Sequence, residues 1–202
     1  MKPPLQNPET APDTDCADTD FAQAVLEDSR LTVDVLITSS AWNRLPQAVE
    51  VVQRSIAAAA AANPDPGLRN AELSVLLCDD ATIAVLNGRW RGQEQPTNVL
   101  SFPAPLPDGA RLPAGSPSDA TPSDKIPLGD IAIAGETLVR EADASGKTVP
   151  AHLAHLVVHG FLHLMGYDHE TDDEAEEMER LERDILARIS VADPYAGRDA
   201  DI

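Results

Sequence analysis

The segment His159-Gly-Phe-Leu-His163-Leu-Met-Gly166-Tyr-Asp168-His169 constrains the fold more than any other stretch of the chain. Two imidazoles four residues apart point the same way on an α-helix. Gly166 lets the chain turn back, so that His169 can swing round to the same point. Three neutral nitrogens converging on one spot suit a borderline-soft cation such as Zn2+. They leave the fourth position of a tetrahedron open, as catalytic sites do and structural sites do not. A buried helix, a turn and a metal centre are therefore expected in eleven consecutive residues.

Two more histidines, His152 and His155, precede this run on the same predicted helix. At about 100° per residue, His152, His159 and His163 fall on a common face, so spacing alone permits more than one ligand set. Adjacency to the Gly166 turn and to His169 favours His159, His163 and His169. His152 lies roughly 16 Å along the axis from His163 and cannot share an ion with it in a straight helix. It reads as a surface or helix-start residue, and His155 as a packing residue or an indirect support of the ligands. Zinc peptidases also place histidines on a helix, but their H-E-x-x-H pattern sets a general-base Glu beside the first His. Here that place is Gly160, which makes a zinc-dependent peptidase-like hydrolase the alternative rather than the leading reading.

The formal net charge of −19 sits mainly at the two ends, with −5 over residues 1–30 and −9 over 168–202. Such an acidic total argues against non-specific nucleic-acid binding, although it leaves room for a local basic cleft. No apolar run approaches the roughly 20 residues of a membrane span, and the polar start lacks a secretory h-region. Cys16 and Cys78 lie in no motif, so a disulfide framework is not supported and a cytoplasmic location is the simplest expectation.

Alternation predicts strands at 31–37, 72–77, 98–102 and 128–133. Helical spacing and caps predict helices at 45–62, 80–87 (capped by Asp79 or Asp80), 135–144, 149–165 and 172–189. The expected fold class is α/β (α+β), a small mixed four-stranded sheet covered by about five helices, with the metal site on a buried helix. Residues 30–190 form the expected single domain. Residues 1–29 read as a disordered acidic tail, 104–126 as a Pro-rich loop insertion and 191–202 as a polar tail.

Four segments together resemble the YbeY family of rRNA maturation endoribonucleases. They are the histidine run, Leu86-Asn87-x-x-Trp90-Arg91-Gly92, Pro96-Thr97-Asn98-Val99-Leu100-Ser101-Phe102-Pro103, and Leu128-Gly129-Asp130-Ile131. Their order and rough spacing agree with the family over about residues 31–190. The resemblance implies a metal-dependent endoribonuclease directed at single-stranded RNA, acting in 16S rRNA 3′-end maturation and ribosome quality control. It implies one Zn2+ ion held by His159, His163 and His169, a functional arginine at Arg91, and contact with rRNA and the small ribosomal subunit. DNA and membranes are not among the implied partners.

Read from the residues, Arg91 offers a permanently charged planar fork to a phosphate, and Arg89 could join it in a small basic patch. Thr97, Asn98 and Ser101 suit either cleft hydrogen bonds to RNA or ordinary turn and strand-edge chemistry. Asp168 either orients a histidine or caps the next helix. Asp130 is open to a structural or a functional role. No general base stands out.

Overall fold

The computed structural model describes residues 20–26, 31–63, 68, 71–104 and 125–196. Its centre is a five-stranded sheet made of β1 (Asp20–Leu26), β2 (Leu31–Ile37), β3 (Ala71–Cys78), β4 (Val99–Pro103) and β5 (Ile126–Ala134), in the order β1-β2-β3-β5-β4. β2, β3 and β5 run parallel, while β1 and β4 pair antiparallel at the two edges. The four expected strands are present. The fifth, β1, corrects the reading of residues 1–29 as wholly disordered. Its sequence, DFAQAVL, lacks the alternation that marks a strand. It takes strand form by pairing along the whole of β2, from Asp20 with Ile37 to Leu26 with Leu31. The 104–126 insertion falls almost entirely outside the described residues.

Helix α1 (Ala48–Ala62) follows a short 3-10 helix at Ser40–Arg44. α2 (Asp80–Arg91), α3 (Gly135–Ala144), α4 (Val149–Leu164) and α5 (Asp172–Arg188) complete the fold. Strand alternation divides the sheet into two faces. Val33, Val35, Leu73, Val75, Leu77, Ile131 and Ile133 point to the face covered by α1 and α4, with α5 packed beyond them. Leu76, Cys78, Leu100, Phe102, Ala132 and Ala134 point to the other, where α2 contributes Ile83 and Leu86. Asp79 is the N-cap of α2, accepting from the Thr82 N–H. Asp80 instead reaches across to α3, accepting from the Thr137 backbone N–H and hydroxyl and from Arg140.

α2 runs four residues past its expected end. Gly88 is accommodated inside it, and the stop comes at Gly92, whose φ of 70° is left-handed. The extension carries Arg89, Trp90 and Arg91 on the last helical turn. Buried Asn87 donates from Nδ2 to the Gln95 carbonyl at 2.9 Å and holds the following loop against the helix. Gly129, at φ 132°, lies where the β3–β5 register slips, and a Cβ there would fall 2.1 Å from the Phe102 carbonyl oxygen. The Leu-Gly-Asp-Ile segment thus owes its glycine to a close backbone approach at the strand bulge. No helix among the described residues is long and apolar enough to cross a membrane.

Candidate metal centre

α4 begins at Thr148, whose hydroxyl caps the Ala151 N–H, with Pro150 in the first turn. It ends in a Schellman motif. The Tyr167 N–H donates to the Leu162 carbonyl, the Gly166 N–H donates to the His163 carbonyl, and Gly166 sits at φ 87°. A Cβ on Gly166 would meet nothing within 4 Å, so glycine is needed for its backbone freedom rather than for space. This reversal returns His169 to the helix. Its ring stacks on His159 at 5.5 Å between centroids and lies 5.0 Å from the His163 ring. One ligand nitrogen from each of His159, His163 and His169 falls within 4.8 Å of the others, a group that could hold a metal ion.

The hydrogen bonds select the ring nitrogens. His159 Nδ1 donates to Glu182 Oε1 at 2.8 Å, and His163 Nδ1 donates to the Tyr167 carbonyl at 3.0 Å. With both Nδ1 protonated, the two Nε2 lone pairs face each other at 3.1 Å. A pair of bare acceptors at that distance repels unless a cation lies between. Two nitrogens bound tetrahedrally to zinc stand about 3.3 Å apart, so the donor set fits the ion. Burial and the neighbouring His159 push the His163 pKa down, which keeps the imidazole in the neutral form a ligand requires.

Glu182 completes the support of this site and was not among the residues singled out from sequence. It is fully buried on α5. Its Oε1 holds His159, and its Oε2 accepts from His155 Nε2 at 2.9 Å and from the Tyr195 hydroxyl. Burial alone would raise its pKa, but the hydrogen bonds from His155, His159 and Tyr195 outweigh burial and bring it down to about 2. The carboxylate is therefore ionised and orients His159, one of the three candidate ligands, from behind. A sequence signal existed: Glu182 stands four residues after Met178 and three before Ile185, on the apolar face of α5. His155 fills the supporting role considered for it. Tyr195, in the segment read as a polar tail, packs edge-on against the His155 ring at 5.4 Å.

His152 corrects the surface reading. It is buried, and its Nε2 lies 2.9 Å from Glu141 Oε2, the same oxygen that accepts from Asn98 Nδ2 at 3.0 Å. The Asn98 side chain also accepts from the Val99 N–H at 2.7 Å, so it ties β4 to α3. These groups, with Lys147, His155, His159 and His169, border a cavity of about 590 Å³ beside the triad. Asp168 does not cap α5, whose N-cap is Thr171 in a capping box with Glu174, and its charge acts on the His163 imidazole without a hydrogen bond to it. It accepts from the His169 backbone N–H at 2.9 Å. Arg91 is not in this cavity. It borders a groove of about 1070 Å³ on the opposite face of the sheet, together with Trp90, Phe102 and Asp130.

Gly160 explains why a peptidase pattern does not fit. A Cβ there would lie 3.0 Å from Ser101 Oγ and 3.2 Å from Ile131, because α4 is pressed against β4 and β5. The position next to the first histidine faces the sheet and has no room for a Glu.

A family model described as Endoribonuclease YbeY matches residues 37–190, the span that contains the triad, Glu182 and Arg91. The chain belongs to the YbeY family. Among its relatives, Endoribonuclease YbeY of Bradyrhizobium diazoefficiens is 52% identical over 165 residues, which is 82% of this chain and 85% of that protein. Endoribonuclease YbeY of Rhodopseudomonas palustris (strain BisA53) is 54% identical over 166 residues, covering 82% and 91% respectively. A solution structure of TM1509 from Thermotoga maritima aligns over 84% of this chain and 97% of its own at 21% identity and a TM-score of 0.40, a likeness too distant to bear on function. Within the YbeY frame, the four motifs divide by task. The histidine run builds the triad, Asn87 and Gly92 shape the end of α2 that displays Arg91, Asn98 locks β4 to α3, and Gly129 permits the bulge.

Proposed function

We propose that this YbeY-family chain is a zinc-dependent endoribonuclease that cuts single-stranded RNA. Its task is 16S rRNA 3′-end maturation and ribosome quality control, in the cytoplasm and in contact with the small ribosomal subunit. The observation that carries this reading is the triad itself. Three imidazoles converge beside an open cavity, two of them with Nδ1 held so that Nε2 is free to bind. Relatives above 50% identity, each named Endoribonuclease YbeY, support RNA as the substrate class.

Held by these residues, zinc supplies Lewis acidity toward a phosphoryl oxygen and toward water. The chain's own part is positional and electrostatic. Glu182 fixes the His159 ring and balances charge behind it, and the Tyr167 carbonyl fixes His163. Arg91 anchors a backbone phosphate of the substrate strand, giving a permanently charged, bidentate cation in an otherwise acidic protein. It acts from across edge strand β4 rather than from inside the triad's cavity.

Incubation of the purified protein with a single-stranded RNA oligonucleotide and, in parallel, with an unstructured peptide tests this reading. RNA cleavage that stops with chelator is expected, with the peptide left intact. Peptide cleavage without RNA cleavage would overturn it. Mapping 16S rRNA 3′ ends in cells depleted of the protein tests the cellular task, and unchanged ends would reject it.

A further inference from the structure

We infer that Trp90 is a base-stacking platform for the RNA strand, in the groove on the sheet face opposite the metal centre. The inference rests on the single-stranded RNA reading above and adds a second contact region to it. Large apolar side chains are usually covered, yet Trp90 is 65% exposed. It is also held in place. Its ring lies 5.8 Å from that of Phe102, tilted by 55°, and the Arg89 guanidinium lies 5.9 Å from the ring centroid. A mostly exposed indole, backed by an aromatic and with a guanidinium beside it, is the arrangement that stacks an unpaired base without reading its sequence.

The groove beside it supports the same ligand. Its volume of about 1070 Å³ has apolar walls that include Leu76, Leu86 and Phe102. Neither Arg89 nor Arg91 forms an ion pair among the described residues, so both charges are open to phosphates. The groove also contains two carboxylates. Glu72 is paired with Lys125 at 3.3 Å, while Asp130 opposes any phosphate placed near it. The backbone of the ligand therefore belongs at the arginine end and its base over Trp90.

Continuity with the metal centre comes through β4, which is one of the two edge strands of the sheet. Ser101 faces α4, one helical turn from His163, where it crowds Gly160. The next residue, Phe102, faces the other way and carries Trp90. A single strand passing around this edge reaches both sites, whereas a duplex is too stiff to do so.

Full-length, zinc-loaded protein can be compared as wild type, Trp90→Ala and Trp90→Phe on single-stranded oligoadenylate. Trp90→Ala is expected to raise KM about tenfold or more, with kcat and zinc content near wild type. Trp90→Phe should recover most of the loss. Rapid mixing with the strand should quench wild-type tryptophan emission, and this quenching should vanish in Trp90→Phe, where only the buried Trp42 emits. A strand with abasic sites should reduce the difference between wild type and Trp90→Ala. RNA cleavage with unchanged KM in Trp90→Ala, or equal quenching in Trp90→Phe, would overturn the stacking site alone. A wild type that cleaves no RNA would overturn the reading beneath it.

Discussion

Replacing Glu182 with glutamine tests how the triad is held. The carboxylate receives three hydrogen bonds, from His155, His159 and Tyr195, and has no access to water. These hydrogen bonds make the fold prefer the ionised form, bringing the pKa from 4.5 down to about 2. At 1.36 kcal/mol per pH unit this is about 3 kcal/mol. Glutamine resembles the neutral acid and presents an NH2 group to at least one of the three donors. Metal-stripped Glu182→Gln should therefore be less stable by about 3 kcal/mol, lowering Tm by roughly 6–12 °C for a domain of this size. Zinc affinity should fall by about 10–100-fold, the usual effect of losing a carboxylate behind a ligand histidine. Thermal unfolding of the stripped protein and zinc titration against a chromophoric chelator read the two effects separately. A variant with wild-type Tm and wild-type zinc affinity would refute the reasoning.

Three further outcomes are expected. Arg91→Glu should lower kcat/KM on single-stranded RNA by about 10–100-fold, as for a lost charge-assisted hydrogen bond, while zinc content and Tm stay near wild type; undiminished cleavage removes Arg91 from the substrate path. Gly166→Ala must place a side chain at φ 87°, costing about 1–2 kcal/mol in stability and weakening zinc binding through His169, which calorimetry and metal titration would detect. Burial lowers the pKa of His152, against the raising effect of Glu141 and with His155 and Lys147 adding to the decrease. The unfolded chain then takes up this proton more readily than the native one, so native stability falls as pH drops below about 6.5. His152→Gln should show a shallower acid loss in denaturant titrations across that range, and an identical pH profile would contradict it.

The parts of this protein that were legible in sequence are those set by local pattern. β2, β3, β4 and β5 alternate, α4 and its glycine turn announce themselves, and the triad follows from spacing plus a turn. What stayed hidden depends on partners distant in the chain. β1 has no alternating pattern of its own and exists through pairing along β2. Gly88 looks like the end of α2, but the helix tolerates it and stops only at Gly92, whose φ of 70° closes the C-terminus, and so presents Trp90 and Arg91. Glu182 sits among so many acids on α5 that its core-facing position is easy to overlook, and Tyr195 lies in a segment with no periodicity at all. His152 is buried and hydrogen-bonded to Glu141, eleven residues earlier on another helix.

Zinc add-back to metal-stripped protein, followed by cleavage of a single-stranded RNA oligonucleotide, tests the central claim most directly. Cleavage should rise linearly and stop rising at about one ion per chain, as one tris-histidine site requires, and His163→Ala should remain inactive at the same zinc level. Full cleavage by stripped protein, or by His163→Ala, would contradict the account.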